Sequence, residues 1–139
     1  TYFQKHAKVK EYMDQQIENC RRTGFSETIL GRKRAIHEIN ASAYMVRQLG
    51  ERLAMNSPIQ GSAADIIKIA MIKVHRELKE KHPDSHLILQ VHDELIIDSS
   101  RDELEEIKDL LVRNMEDAMK LSVKLLAEVN IGENWYDLK

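Results

Sequence analysis

Between Pro58 and Pro83 the chain sets apolar residues at helical spacing over several turns: Ile59, Ala63, Ile66, Ile67, Ala70, Met71, Val74 and Leu78. A stripe of that length is stable only when covered, so it requires a long helix packed on a core. Its start is well marked. Ser57 can cap, Pro58 fits the first helical position, and Gln60 falls three residues past the cap. Because proline lacks the backbone donor that an uninterrupted helix uses, a separate helix over residues 43–56 is expected to stop there.

The flanking segments read as smaller elements. Val9, Met13, Ile17 and Cys20 give residues 2–22 a helical face, closed by Arg21, Arg22 and Gly24 as a C-terminal stop. Residues 25–36 read as a short ribbon around Gly31 with a basic tip, Arg32-Lys33-Arg34. At residues 87–98 the period changes: Leu87–Val91 and Glu94–Asp98 are two strand-length runs joined by His92-Asp93, a two-residue turn without glycine. Asp and His tolerate left-handed backbone better than most residues. The pattern Ser100-x-x-Glu103 reads as a capping box opening a helix with Leu104, Ile107, Leu111, Met115 and Ala118 on its face. Val123, Leu125, Ala127, Val129 and Ile131 alternate as in a strand that pairs with the hairpin. The expected class is α+β, with helices packed on one face of a small antiparallel sheet whose centre is the hairpin.

With 139 residues, 42% hydrophobic and 32% charged, the chain has the composition of one globular domain and not that of a disordered or collagen-like chain. No apolar run reaches the length of a membrane span, and the N-terminus carries neither an initiator Met nor a signal-peptide core. A soluble, unsecreted piece of something longer is expected. One cysteine, Cys20, fits a reducing compartment and reads as a core residue. The net charge of −2 divides into +4 over residues 1–50, +1 over 51–92 and −7 over 93–139. A uniformly basic coat is excluded, while a basic half facing phosphate and an acidic half holding a divalent cation remain open beside simple solvated helix faces.

Two places carry candidate chemistry. Gln90-Val91-His92-Asp93-Glu94 raises two carboxylates on the tip of a hairpin whose apolar strands are expected to be buried. Mg²⁺ takes one or two protein carboxylates and fills its remaining positions with water and phosphate. Adjacent extended residues point to opposite faces, so Asp93 is the expected ligand and Glu94 the assistant; ordinary turn chemistry is the competing account. Arg52, Asn56 and Gln60, spaced four apart, form one polar stripe if the helices on either side of Pro58 are nearly continuous. Every base pair presents minor-groove acceptors, so such donors check pair shape without reading sequence; an exposed face with Arg52 paired to Glu51 is the bland alternative. The His82-Pro83-Asp84-Ser85-His86 stretch lacks a third ligand and reads as an exposed loop. The Arg32–Arg34 tip fits phosphate contact and a solvated turn equally.

In their order these blocks resemble one family. Tyr2-Phe3 with Val9-Lys10-Glu11-Tyr12-Met13, Gly24 through Arg34, Glu51-Arg52-x-x-Met55-Asn56-x-Pro58-x-Gln60-Gly61-Ser62-Ala63-Ala64-Asp65, Gln90-Val91-His92-Asp93-Glu94-Leu95 and Gly132-Glu133-Asn134-Trp135 are similar to the C-terminal part of a family A DNA polymerase of the bacterial DNA polymerase I type. The resemblance implies a template-directed DNA polymerase of replication and repair, cytoplasmic and nucleoid-associated, with primer-template DNA and deoxynucleoside triphosphates as partners and no membrane. It implies that residues 1–40 are the end of the fingers and the return to the palm, and residues 41–139 the C-terminal palm segment. Asp93 then resembles one of two aspartates holding a pair of catalytic Mg²⁺ ions, with Glu94 beside it and His92 near the primer terminus; Arg52, Asn56 and Gln60 resemble minor-groove contacts. Glu94 stands where phage-type RNA polymerases of related fold have Ser, which favours DNA synthesis. The second aspartate and the nucleotide-binding fingers helix are expected outside this chain, so the 139 residues alone are expected to be inactive. A non-catalytic nucleic-acid-binding module of the same fold is the alternative, and a metal nuclease on Asp93 and Glu94 is weaker because it needs more carboxylates. An exposed edge on the hairpin is expected to favour self-association.

Overall fold

The computed structural model describes residues 6–138 and divides into two compact units, Thr1–Asp65 and Ile66–Lys139. The architecture is α+β, as the periodicities imply: helices with two separate two-stranded antiparallel sheets.

In the first unit, helix α1 (Ala7–Thr23) ends at Gly24, which adopts φ 79° and donates its N–H to the Cys20 carbonyl at 2.7 Å. Only glycine takes that left-handed backbone without a Cβ penalty, so the stop stands where the sequence places it. The first residues of the expected helix, 2–5, lie outside the described residues. Strands β1 (Phe25–Glu27) and β2 (Lys33–Ala35) form the ribbon, and a 3₁₀ turn (His37–Asn40) follows. Cys20, Ile36, Ile39 and Ala54 make a small core, with Ile17 and Leu53 against it. Burial pushes the Cys20 thiol up, away from the thiolate that reacts.

Helix α2 runs unbroken from Tyr44 to Lys81, with Pro58 inside it, so the expected stop and restart do not occur. Proline removes only one donor, and the helix continues through it. The Ser57 hydroxyl, expected to cap a helix, instead accepts from Arg34 Nη1 at 3.2 Å, and Ser62 Oγ donates to the Pro58 carbonyl. The apolar face also starts later than expected: Ile59 and Ala63 are exposed, and packing on the second core begins at Ile66.

In the second unit, Ala70, Val74 and Leu78 of α2 pack with Leu95, Ile107, Leu110 and Ala118. Strands β3 (His86–Val91) and β4 (Glu94–Asp98) pair antiparallel with a register shift between Leu87 and Leu89. Their expected burial is only partly met, since Leu95 is covered while Ile88 and Leu89 are 59% and 39% exposed. A two-stranded ribbon has one face on the helices, and among the described residues neither outer edge has a partner.

Helix α3 (Leu104–Glu116) follows a 3₁₀ turn, Arg101–Glu103, and buries Ile107, Leu110 and Asn114. The capping box does not form. Ser100 makes no side-chain cap, and Glu103 reaches His82 Nδ1 at 3.0 Å and Ser85 Oγ at 3.4 Å instead. His82 and Ser85 are therefore buried, 6% and 2% exposed, which corrects the expected exposed loop at those two positions, while Pro83, Asp84 and His86 are exposed as expected. The expected strand over residues 123–131 is absent among the described residues; burial alternates over 125–130, while Val123 and Ile131 are exposed. Two adjoining clefts of about 660 and 480 Å³ lie between β4 and residues 126–133, floored by Leu111 of α3. Among the described residues no strand pairs with β4 on that side, and alternation without a ladder leaves coil.

Candidate functional site

The hairpin tip forms as its period suggests. His92 and Asp93 make the turn between Val91 and Glu94, which are paired in register, and His92 takes φ 52°. That backbone is uncommon outside glycine and is eased here by hydrogen bonding: the Gln90 side-chain amide donates Nε2–H to the His92 carbonyl. His92, Asp93 and Glu94 are all exposed, with buried Leu95 anchoring the strand behind them. Neither the Asp93 nor the Glu94 carboxylate has a hydrogen bond or ion pair among the described residues. Both line the 480 Å³ cleft with Met115, Leu126 and Trp135. Among the described residues no group of three or more His, Cys, Asp or Glu side chains is placed to hold a metal ion. Two hard oxygen donors on a fixed turn fit Mg²⁺, which asks for few protein ligands, but they form only part of a coordination shell.

The polar stripe lies in the first unit. Because α2 is continuous across Pro58, Arg52, Asn56 and Gln60 fall on one face and all three are exposed. None makes a side-chain hydrogen bond or ion pair among the described residues, and Glu51, the alternative partner of Arg52, pairs with Arg21. The N–H donors of one guanidinium and two amides thus stand open on a rigid helix, a set suited to the acceptors of a nucleic-acid groove.

The basic ribbon tip is built differently. Arg32 Nε donates to Asp65 Oδ1 at 2.9 Å, its Nη2 reaches the Gly61 carbonyl at 3.1 Å, and Thr28 Oγ1 donates to Asp65 Oδ2. The Ile29 N–H bonds Ser62 Oγ at 2.9 Å. Gly61 is required by this contact, since a Cβ there would sit 2.6 Å from Thr28 Cγ2. Two of the three basic residues are therefore committed to the fold: Arg32 to Asp65 and Gly61, and Arg34 to Ser57.

With that geometry in view, the comparisons with known proteins are decisive for family. The family described as DNA polymerase family A matches residues 1–137. This chain belongs to DNA polymerase family A. It is 49% identical over 138 residues to DNA polymerase I of Caldicellulosiruptor bescii, covering 99% of this chain and 16% of that protein. To DNA polymerase I of Lactococcus lactis subsp. cremoris it is 48% identical over 139 residues, again 16% of the relative. The fold matches the POL domain of Pol1 from M. smegmatis, solved in complex with DNA primer-template and dNTP, with TM-score 0.95 and 40% identity over 99% of this chain and 24% of that one. The chain thus spans about one sixth of the polymerases it resembles.

The sequence named the tip and the stripe but gave Gln90 no role beyond its place in the motif. Its signal is positional: a long amide two residues before a glycine-free turn reaches the turn's own carbonyl.

Proposed function

We propose that this chain is the C-terminal palm segment, with the end of the fingers, of a DNA-directed DNA polymerase, residues 1–40 returning from the fingers and 41–139 completing the palm. The observation that carries the reading is the tip: two exposed carboxylates without partners among the described residues, held by a hairpin anchored in the core. The polymerase domain that this fold matches was solved with primer-template DNA and dNTP, which supports the same partners here.

In this reading Asp93 is a ligand of Mg²⁺, shared with an aspartate outside these residues, and Glu94 supports it from the side. Bound Mg²⁺ supplies charge stabilisation for nucleotidyl transfer from a deoxynucleoside triphosphate to a primer 3′-hydroxyl. Arg52, Asn56 and Gln60 donate to minor-groove acceptors and hold the duplex without reading its sequence. His92, beside Asp93 on the turn, faces the primer end. Because no group of three or more metal-ligating side chains is assembled among the described residues, the 139 residues by themselves do not extend primers.

Primer extension tests this directly. In the complete polymerase containing these residues, Asp93→Asn removes template-directed incorporation while primer-template binding persists, and the 139-residue chain alone incorporates nothing. Undiminished extension by Asp93→Asn refutes the assignment. Incorporation by the isolated chain refutes its dependence on an outside aspartate. If no polymerase containing these residues extends a primer, the non-catalytic nucleic-acid-binding module is the correct reading.

A further inference from the structure

The free state of the Asp93 and Glu94 side chains raises the question of what aims them. Neither carboxylate is held by a hydrogen bond or ion pair among the described residues, so the backbone of the turn is what sets the direction of each Cα–Cβ bond. That backbone contains a non-glycine residue at positive φ, His92 at 52°, a conformation that persists only where neighbouring contacts determine it. The side chain that bonds the turn is Gln90, whose Nε2–H is donated to the His92 carbonyl. This carbonyl belongs to the peptide plane joining His92 to Asp93, and rotation of that plane would swing the Asp93 Cα–Cβ bond. Gln90 works from a fixed base, because it pairs across the ladder with Leu95, a member of the second core.

We propose that Gln90 is a positioning residue for the metal-binding tip: its amide locks the His92–Asp93 peptide plane and so orients the Asp93 carboxylate. The inference rests on the reading of Asp93 as a Mg²⁺ ligand. Gln90 touches neither metal nor substrate in this role, and its effect reaches the site only through the turn.

The test uses Gln90→Leu, close in size without a donor, and Gln90→Glu, close in shape with an acceptor in place of the amide. In the complete polymerase, both raise the half-saturating Mg²⁺ concentration roughly three- to tenfold and lower kcat about tenfold, the scale expected when a reacting group is slightly misplaced. Primer-template affinity stays within about twofold, since phosphate and groove contacts are untouched. In the 139-residue chain, Mn²⁺ broadens the Asp93 amide resonance less in either variant than in the parent. Replacing His92 by glycine relieves the left-handed strain, so in a His92→Gly background the further loss from Gln90→Leu shrinks to about twofold. Unchanged Mg²⁺ dependence and kcat in both variants, with Asp93→Asn inactive, overturns the inference and leaves the metal reading standing. A loss of primer-template affinity at constant Mg²⁺ dependence also overturns it, by making Gln90 a DNA contact. Full activity in Asp93→Asn overturns the metal reading and this inference with it.

Discussion

Replacing Gly50 by alanine sets two effects of opposite sign against each other. Gly50 lies within α2, where alanine is the better helix former by about 1 kcal/mol. A Cβ at that position, however, would lie 2.6 Å from the Ile39 nitrogen and 2.7 Å from both the Glu38 carbonyl carbon and Ile39 Cα. Carbon contacts are comfortable at about 3.5–4.0 Å, so the 3₁₀ turn must retreat by roughly 1 Å. Retreat is expensive because that turn is backbone, not a flexible tip, and Ile39 and the preceding Ile36 are 2% and 1% exposed in the first core. Overpacking of this kind costs about 1–3 kcal/mol, and with displaced core contacts the upper part of that range applies. The net expectation is a loss of about 1–2 kcal/mol, or roughly 3–8 °C in melting temperature for a chain of this size. Gly24→Ala is the control: φ is 79° but nothing lies within 4 Å, so its cost of about 1 kcal/mol is purely conformational. Thermal denaturation followed by circular dichroism separates the two. A Gly50→Ala chain that melts at or above the parent means helix propensity has won, and the close approach of turn and helix is then wrong.

Acid should act first on the second unit through Glu77. The Arg113 guanidinium, then the Lys81 ammonium and the Asn114 amide, hold its carboxyl down at about 2 from an ordinary 4.5. A depressed folded-state value contributes stability above pH 4.5 that fades as pH falls towards 2. Water around the half-exposed Arg113 and Lys81 screens the pairs, so the contribution is about 1–2 kcal/mol. Glu77→Gln flattens the stability curve over that window, and an unchanged acid limb contradicts the assignment. Asp65→Ala removes the acceptor of Thr28 and Arg32 beneath the ribbon tip, at a cost of about 1–3 kcal/mol. Amide exchange should quicken across residues 28–32 and spare residues 86–98; a uniform change instead refutes a local anchor.

What the sequence disclosed and what it hid divide along the range of the interactions. The Gly24 stop, the β1–β2 ribbon and the turn at His92-Asp93 are legible because each depends on residues within a few positions of one another. The errors arise where a distant partner outbids a local rule. Pro58 has the local signature of a helix start, yet the helix continues through it and Ser57, the expected cap, is taken by Arg34 of the ribbon. Ser100 and Glu103 have the spacing of a capping box, yet Glu103 is drawn to His82 and Ser85, some twenty residues earlier. Residues 123–131 have the alternation of a strand, but a strand also needs an edge within bonding distance, and clefts separate these residues from β4. The stripe was legible only in conditional form, since its alignment depended on the continuity of α2 that Pro58 argued against.

The same distinction ranks the basic residues of the first unit. In sequence, Arg32 and Arg34 fit phosphate contact and a solvated turn equally, whereas Arg52 belongs to the stripe that resembles minor-groove contacts. Structure separates them by what their donors already hold: Arg32 is engaged by Asp65 and Gly61, Arg34 by Ser57, and Arg52 by no side chain among the described residues. A donor already satisfied must break a bond to contact DNA, whereas an open one exchanges only water, so under the proposed function Arg52 is the better contact at equal charge. The two roles should therefore dissociate on substitution. Arg32→Ala leaves Asp65 with a lost partner and lowers the melting temperature of the chain. Arg52→Ala leaves stability within about 0.5 kcal/mol of the parent. In the complete polymerase it weakens primer-template binding about equally for A·T and G·C primer ends, because the minor-groove acceptors it meets are common to both. If Arg52→Ala instead melts early with DNA affinity intact, the open stripe is part of the scaffold and the groove reading of Asn56 and Gln60 falls with it.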